Sequence, residues 1–448
     1  MLSVQEAEGR AGALVEAAIR AGADAADVLY VGDASTEVQV RLGQLEDVAR
    51  SEGEEIGLRL FVGQRSASVS SSDLSADALA ALVERAAAMA REAPEDPWSG
   101  LAPDDRLLRG DTPDLEADDG EDPLPVALRD RALAIEDAAR AVQGVTNTEG
   151  AGVSAGRTVV ALATSRGFCR GYTTSGYGGF AGVIAGEGER MQRDSASHNT
   201  RFLADLDGPE AIGRLAAERA VKRLDPRKLA SGTMTVVFDP RVGGSLVGHL
   251  LGAMTGPAIA RKASFLLGRE DEILFGDEMV IVDDPHRRRG LRSKPFDGEG
   301  VATQRRDLVE KGRLTGWLLN SASARQLGLE TSGHANRGTS GAPGAGATNV
   351  HVEPGVLSPA ALMADIKRGL YVTELIGMGV NPVTGDYSRG AAGFIIEDGE
   401  IAAPAAEITI AGNLIDMFRA LVPADDLELR RAVNVPTLRI DGMTIAGA

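Results

Sequence analysis

Five histidines are the only imidazole side chains of this 448-residue chain, and imidazole is a common zinc ligand in proteins. A zinc site usually draws on histidines at helical or clustered spacing, with a carboxylate or water completing the shell. None of the five has another histidine within four residues, and HExxH is absent. Their spacing predicts no zinc site, although separated histidines can still meet in space. They are His198, His249, His286, His334 and His351.

Nucleophilic chemistry has few candidates. The single cysteine, Cys169, excludes an internal disulfide and a cysteine-based zinc cluster. Ser245 lies between a predicted strand and a predicted helix but outside a G-x-S-x-G turn, so we interpret it as a helix N-cap. The best candidate for an unrecognised hydrolytic site is His334, with Asn336 and Arg337 beside it, because a glycine-flanked histidine in a loop can be exposed.

Two further segments favour binding or a solvated loop. The stretch from Gly338 to Gly346 lacks the lysine of a P-loop, and it predicts an adaptable loop whose amides can approach a ligand or a peptide. A cluster of arginines could hold a carboxylate or phosphate, although a solvated loop with local salt bridges is the favoured interpretation. The cluster is Arg287, Arg288, Arg289 and Arg292.

The composition limits the partners. A formal net charge of -18 repels a phosphate backbone, so we expect no direct nucleic-acid partner. The opening segment MLSVQEAEGR lacks the basic and apolar regions of a signal peptide, and no apolar run is long enough to span a bilayer. We therefore expect no membrane partner and a cytoplasmic location.

The elements that must position these residues are of two kinds. In residues 1–225, helical stripes alternate with segments such as Val38 to Leu42, in which every second residue is apolar. That period predicts half-buried strands, so we expect an α+β domain with an antiparallel sheet and flanking helices. Prolines and an acidic run predict a linker-like, solvated stretch near residues 94–125.

Residues 226–448 predict a second, β-rich domain. A helix is predicted over 244–254, and many short strands and turns follow it. The dipeptides Asp398-Gly399 and Asp441-Gly442 are typical of hairpin turns. Together these signals predict a curved or barrel-like β-domain.

Four longer strings go beyond composition. They are EEIGLRLFVGQRSASVSSSDLS at 54–75, GHLLGAMTGPAIARKASFL at 248–266, LRSKPFDGEGVATQRRDLVEKGRLTGWLLNSASARQLGLETSGHANRG at 291–338 and TGDYSRGAAGFIIEDGEIAAPAAEITIAGNLIDMF at 384–418. In this order they resemble the TldD/PmbA family, often called modulators of DNA gyrase. The resemblance covers most of the chain and is weakest over 94–125.

The resemblance implies a heteromeric TldD–TldE assembly that degrades unfolded peptides and matures certain peptide antibiotics. In the TldD branch, a helix carries HExxxH, whose two histidines bind the metal and whose glutamate acts as general base. A downstream cysteine completes the site. Such a ligand set suits zinc-assisted hydrolysis.

The present sequence departs from the TldD pattern at the metal helix. Alignment on Arg261 and Lys262 places Gly248 and Ala253 at the two histidine positions and His249 at the glutamate position. The family cysteine has no counterpart. These departures point to the PmbA/TldE branch, so we expect no metal and no catalytic residue in this chain and zinc in a TldD-like partner.

Our leading hypothesis is a non-catalytic PmbA/TldE-like subunit of a TldD-type metalloprotease complex, acting on unfolded peptides or in peptide maturation. The candidate peptide or interface residues are Arg261, Lys262, His334, Asn336 and Arg337. One alternative is a hydrolase in its own right, metal-independent or using an unrecognised site. Another is a peptide-binding homodimer without an enzymatic partner. For the isolated chain we also expect a homodimer.

Overall fold

The computed structural model describes residues 1–447, and the N-terminal part is a sheet flanked by helices. Its elements in chain order are α1 Val4–Arg20, β1 Ala25–Arg41, β2 Gln44–Val62, β3 Arg65–Ser71, α2 Ala76–Glu92, α3 Pro125–Arg140, β4 Val145–Thr164, β5 Cys169–Ala185, β6 Gln192–Thr200 and α4 Pro209–Lys222. The first helix starts at the capping box of Ser3 and Glu6, in which each side chain bonds the other residue's main-chain N–H.

The six strands pair antiparallel in the order β3-β2-β1-β4-β5-β6. The long central strands serve two helix pairs on one face of the sheet. Val28 of β1 packs in the core that contains α1 and α2, and Val38 packs in the core that contains α3 and α4. The two valines share a face because they are an even number of residues apart. The predicted antiparallel sheet with flanking helices is confirmed.

Part of the stretch 94–124 packs against the opposite face of the sheet. Leu107 and Leu108 contact a small apolar cluster that includes Leu29 and Phe296. The main-chain N–H of Leu108 donates to the Gly300 carbonyl at 2.9 Å. The expected solvated stretch is therefore wrong for these leucines. Prolines and acidic residues exclude regular helices and strands there, but they do not exclude burial.

The C-terminal part contains many short elements. They are β7 Gly232–Phe238, α5 Pro240–Ala253, α6 Gly256–Ala260, β8 Ile281–Asp283, β9 Arg306–Glu310, β10 Arg313–Leu314, α7 Ser321–Leu327, β11 Ala335–Asn336, β12 Gly344–Ala345, β13 Val350–Val352, α8 Pro359–Met363, β14 Arg368–Ile376, β15 Asp386–Glu397, β16 Glu400–Asn413, α9 Leu414–Arg419, β17 Leu421–Pro423, β18 Val433–Asn434 and β19 Leu438–Ala446. The boundary predicted at residues 225 and 226 falls between α4 and β7, and it stays a prediction.

Five of these strands close into a barrel in the order β16-β15-β14-β7-β19, with β19 pairing back to β16. Its β7–β14 pair is parallel, and its other pairs are antiparallel. Val236 and Ile410 of the barrel share one apolar core with Leu250 of α5 and Val309 of a second, five-stranded sheet. That sheet has the order β10-β9-β8-β13-β18. The predicted barrel-like β-domain is confirmed.

Two local predictions in this part had opposite outcomes. Asp398-Gly399 forms the turn of the β15–β16 hairpin, as expected. Asp441-Gly442 lies inside β19, where the register against β7 shifts between Ile440 and Met443, so a bulge replaces the predicted turn.

The helix α5 begins earlier than predicted. Asp239 is its N-cap and accepts from the main-chain N–H of Arg241 at 2.9 Å. Pro240 follows at the first helical position, where a missing N–H does no harm. Ser245 lies within the helix and donates to the Val242 carbonyl, so its predicted N-cap role is wrong. Among residues 1–447 no helix combines the length and the apolar run needed to cross a bilayer.

Candidate functional site

The degenerate metal-helix positions lie on different sides of α5. Gly248 is exposed, and no atom lies within 4 Å of the place its Cβ would occupy. Ala253 is buried in the same core as Leu250. Side chains five residues apart point about 140° apart around a regular helix. The two histidines of HExxxH have this same spacing, so ligands at 248 and 253 would converge on one ion only if the helix were distorted there.

His249, at the former base position, packs against the barrel. Its ring lies edge-on to Tyr387 of β15, with ring centroids 6.1 Å apart. Its buried Nε2 has no hydrogen-bond partner among the described residues. Burial, and then the charge of Arg389, lowers the pKa of His249, while burial raises the pKa of Tyr387 to about 12. This environment favours a neutral imidazole that fills space beside a neutral phenol.

Arg261 and Lys262 follow α6, and both are exposed. Lys262 has a φ of 56°, and the main-chain N–H of Ala263 donates back to the Ala258 carbonyl at 2.9 Å. This left-handed residue ends the helix in the manner of a C-terminal cap. Both side chains are accessible to a peptide or a partner, and their role in such contacts stays a prediction.

The residues present do not fit the zinc site of the TldD branch. In the described part of the chain, no three histidine, cysteine, aspartate or glutamate side chains are grouped so that they could hold a metal ion. The helix α5 supplies one imidazole, from His249, and Cys169 lies at the start of β5 in the N-terminal sheet. No step of a reaction is therefore assigned to a metal in this chain.

His334 is buried, with 3% of its surface exposed, so the predicted exposed loop histidine is wrong. Its Nδ1 lies 2.8 Å from Ser332 Oγ, and its Nε2 lies 3.0 Å from Asp283 Oδ2. Ser332 Oγ also accepts from the Leu319 N–H at 2.7 Å. Thr348 donates its N–H and its hydroxyl to Asp283 at 2.9 and 2.5 Å.

A serine, a histidine and an aspartate in hydrogen-bond contact have the components of a hydrolytic triad. Here the imidazole is enclosed, and its two nitrogens are both bonded, which suits a structural link between loops. Ser332 is half-buried and lines a cavity of about 320 Å³ beside Arg106 and Glu330. Sequence analysis found His334 and missed its partners. Ser332 could have been noticed two residues away, but only the fold brings Asp283 close.

The two other candidates beside His334 have different surroundings. Asn336 is exposed on β11, where it pairs with Gly344 of β12. The Arg337 side chain is 1% exposed, and its Nη1 donates to Asp27 Oδ1 at 2.6 Å. Arg337 therefore ties the C-terminal part to β1, and a peptide cannot reach it in this conformation.

Asp27 is the centre of a buried cluster with Arg59, Arg337 and Glu299. The Arg59 Nε donates to the two Asp27 oxygens at 3.1 and 3.2 Å, and the Glu299 carboxylate lies 3.9 Å from Arg59. Burial opposes the ionisation of Asp27, but Arg337 and Arg59 outweigh it and hold the pKa of Asp27 below its ordinary value. Two carboxylates face two guanidiniums, so the Asp27 cluster is balanced in charge.

Asp297 lies near this cluster and titrates in the opposite direction. Burial, and then the neighbouring Glu299, raises the pKa of Asp297 to about 7. Its carboxylate accepts the N–H groups of Glu299, Val301 and Ala335, each at 2.9 Å. The side chain therefore organises the loop around residue 297 while its charge is disfavoured.

The exposed arginines of the 287–292 segment form local ion pairs, as favoured from the sequence. Arg288 and Arg289 both pair with Glu116, and Arg289 also reaches Asp205 at 2.9 Å. The Arg289 guanidinium stacks over the Phe202 ring, 3.8 Å from its centroid.

Comparisons with known proteins match most of the chain. Sequence models of the PmbA/TldA metallopeptidase domain 1, central domain and C-terminal domain match residues 26–90, 118–224 and 231–447. The metalloprotease PmbA of Escherichia coli O157:H7 is 39% identical over 426 residues, which cover 95% of this chain and 92% of that protein.

Solved structures share the fold. A protein described as a candidate modulator of DNA gyrase, from Bacteroides thetaiotaomicron, has a TM-score of 0.91 and 27% identity, and the match covers 100% of both chains. TldE from Thermococcus kodakarensis has a TM-score of 0.87 and 21% identity over 97% of this chain and 99% of that one. At that identity the second likeness concerns the fold alone.

Proposed function

We infer the function from one premise: this chain belongs to the TldD/PmbA family of metallopeptidases. We propose that it is a non-catalytic, PmbA/TldE-like subunit of a TldD-type metalloprotease complex. The complex would act in proteolysis of unfolded peptides or in peptide maturation. Zinc and the catalytic residues would lie in a TldD-like partner, and this chain would help to enclose the substrate.

The observation that carries the proposal is the state of α5. Its exposed side offers Gly248, which has no side chain to bind a metal, and its buried side offers Ala253. Between them His249 is packed against Tyr387 and surrounded by groups that disfavour its charge. The helix keeps its position in the family fold but lacks metal ligands. This supports the proposal that the chain depends on a partner subunit for catalysis.

The proposal is tested by metal analysis and peptide hydrolysis. The purified chain, equilibrated with zinc and then washed, should retain no stoichiometric zinc and should not cleave an unfolded peptide. Addition of a TldD-like subunit with an intact HExxxH helix should produce cleavage. Stoichiometric, tightly held zinc together with peptidase activity in the chain alone would overturn the proposal. The mass of the species in each sample separates a heteromeric complex from the homodimer alternative.

The sidedness of α5 can be tested by matched histidine substitutions. Ala253→His should destabilise the fold by about 1–3 kcal/mol, because the added ring must enter a packed core. Gly248→His should change the free energy of unfolding by less than about 1 kcal/mol, since open space surrounds that position and glycine is itself a poor helix former. Urea denaturation of both variants measures the difference. Equal effects would contradict the assigned faces.

A hydrolase in its own right is the second candidate, and the contact of Ser332, His334 and Asp283 favours it. If this triad were catalytic, hydrolysis by the chain alone would survive a metal chelator and would be lost in Ser332→Ala. Ser340→Ala, an exposed serine of the same segment, is the matched control. Absence of chelator-resistant hydrolysis in the unmodified chain removes this candidate.

A further inference from the structure

Five arginines line a cavity of about 380 Å³ between the N-terminal sheet and the C-terminal part. Residues of β6 and α4 form one wall, and the start of α5, β14 and residue 431 form the other. Three carboxylates share the lining with the five guanidiniums, which leaves positive charge in excess. The arginines are Arg193, Arg219, Arg223, Arg241 and Arg431, and the acidic residues are Glu149, Asp194 and Glu374.

Asp194 fixes two of these arginines. Arg241 donates to both of its carboxylate oxygens, at 2.8 and 3.1 Å. Arg223 donates to it at 3.3 Å and also pairs with Glu374. The three side chains of Asp194, Arg223 and Arg241 are each less than one-sixth exposed. They form a rigid wall whose charges are largely engaged with one another.

Arg219 and Arg431 differ, because within residues 1–447 neither forms an ion pair with a carboxylate. Arg219 donates to the Ser195 carbonyl at 3.1 Å, and Arg431 donates to the Arg241 carbonyl at 2.8 Å. These acceptors are neutral, and the nearest opposing charges are those of Asp239, which acts on both guanidiniums, and Asp194, which acts on Arg219. Partial burial lowers the pKa of both arginines; repulsion from Arg241 adds to this, and attraction to Asp239 opposes it. The Nε of Arg241 is also buried with no hydrogen-bond partner in this part of the chain, and the nearest carboxylate oxygen, Asp239 Oδ1, lies 3.9 Å from it. An oxyanion bound in the cavity could pair with both guanidiniums and accept a hydrogen bond from the Nε of Arg241.

The arginine cavity continues into a second cavity of about 210 Å³, which lies over the sheet. Glu149, Phe180 and Ser197 line both, so the two form one groove. The floor of the second cavity lies on the sheet face away from α3 and α4. Its cross-strand pairs are Gly150 with Gly182, Gly152 with Phe180 and Ser154 with Gly178.

The floor is built largely of small residues, and the side chains of Ser154 and Asn199 lie over Gly178, so a ligand would rest on these polar side chains. Phe180 stands out from it with 42% of its surface exposed, as an apolar contact beside the path. Glu37 and Glu46 line the far end, away from the arginines. A groove that is acidic at one end and basic at the other matches an extended peptide, which carries an ammonium at its N-terminus and a carboxylate at its C-terminus.

We propose that the arginine cavity binds the carboxylate of an extended peptide. Because the groove is acidic at one end and basic at the other, we expect this carboxylate to be the free C-terminus. Arg219 and Arg431 provide the donors, and Arg223 and Arg241, held by Asp194, form the wall that orients the ligand. The choice of a peptide as ligand rests on the proposed function. An acidic side chain is the other possible source of the same carboxylate chemistry.

Calorimetric titration with three short alanine-rich peptides tests this inference. One ends in a free carboxylate, one in an amide, and one in an amide preceded by glutamate. The free acid should bind about tenfold more tightly than the plain amide, as expected for a charged hydrogen-bonded contact. If the glutamate amide binds as tightly as the free acid, the side chain is a second source. The inference fails if the free acid and the plain amide bind equally.

Arginine substitutions test whether the preference for a free carboxylate arises in this cavity. The double variant Arg219→Gln with Arg431→Gln should bind the free acid and the amide equally. Arg214→Gln, an exposed arginine of the same helix as Arg219, should keep the preference. Arg219→Lys should retain part of it, because lysine keeps the charge but loses the planar fork. If the double variant does not fold, the single variant Arg431→Gln is titrated instead. Arg431 is exposed, so its substitution should leave the fold intact. A preference that survives in the folded variants overturns the site.

Failure of this inference is distinguishable from failure of the proposed function. Zinc retention and hydrolysis by the chain alone would refute the non-catalytic role, and the titrations would still report whether a carboxylate binds. Loss of carboxylate preference would remove the site and leave the metal analysis unaffected. Both measurements can be repeated with the TldD-like subunit present.

Discussion

Asp27 and Asp194 each bind two arginines, yet the Asp27 cluster is enclosed and the Asp194 cluster lines a cavity. Asp27 and its arginines are almost completely enclosed, and Glu299 brings the charges into balance. Asp194 bonds its two arginines at similar distances, but further guanidiniums without carboxylate partners lie beside them. An aspartate that contacts two arginines can therefore form a structural ion cluster or part of a binding site.

Charge balance and solvent access distinguish a structural ion cluster from a binding site. A buried cluster with equal charges has no need of a further ion, and breaking it leaves an uncompensated charge. A partly open cluster with surplus cations lowers its energy when an anion arrives. Substitutions at the two aspartates and their neighbours should therefore affect stability to different degrees.

The largest effect is expected at Asp27. Asp27→Asn should destabilise the fold by about 3–5 kcal/mol, because Arg59 and Arg337 would remain buried without their carboxylate. Asp194→Asn should have a smaller effect, about 1–3 kcal/mol, since its arginines keep Glu374 or can be reached by water. Urea denaturation at neutral pH measures both. Equal losses would show that enclosure does not distinguish the two clusters.

The pH dependence of stability should distinguish Asp297, near the buried Asp27 cluster, from Asp194 at the cavity. The expected effect is of intermediate size. Asp297 has a folded pKa raised to about 7, so the stability it contributes is present below its unfolded pKa and is lost as pH rises through 7. Asp297→Asn should therefore gain on the unmodified protein as pH rises from about 4 to about 7, and the gain should stay constant above that range. The pKa of Asp194 is lowered, mainly by Arg241 against burial, so its contribution is lost only as pH falls below about 3.9.

The comparison for this series is the change in the urea midpoint of each variant relative to the unmodified protein. For Asp194→Asn that difference should stay constant over the same range of pH. If the difference for Asp297→Asn stayed constant, or moved in favour of the unmodified protein as pH rises, it would contradict the assigned titration.

The smallest effect on stability is expected at Arg431. Arg431→Gln should change the free energy of unfolding by less than about 0.5 kcal/mol, because its exposed side chain forms no ion pair in the described structure. Arg337→Gln, the same substitution inside the Asp27 cluster, should lose about 3–5 kcal/mol. Thermal and urea unfolding of the two variants provide the check. A large loss at Arg431 would make it part of the framework.

The fold could be predicted where local chemistry decides it. The alternation around Val38 and the Asp398-Gly399 hairpin both depend on residues near one another in sequence, and each is confirmed. The Asp441-Gly442 prediction failed because the flanking strand continues in its pairing with β7, and this distant partner makes the dipeptide a bulge.

The candidate site was harder to predict because its contacts are distant. Glycine neighbours suggested exposure for His334, but burial there follows from the Asp283 strand packing over it. The arginine cavity joins Asp194 of β6, Arg219 of α4 and Arg431 from the segment before β18, and no spacing in the sequence brings them together. The degenerate helix was visible from residue types alone, whereas the different sides of Gly248 and Ala253 required the structure.

The closed barrel has a consequence for how the protein folds. Its strand β7 pairs with β14 and β19, which are encoded far downstream, whereas the N-terminal sheet pairs mostly strands that follow one another in the chain. Contacts between distant segments require the closure of long loops, which slows folding. We therefore expect refolding in two stages, in which the N-terminal sheet forms early and barrel closure limits the rate.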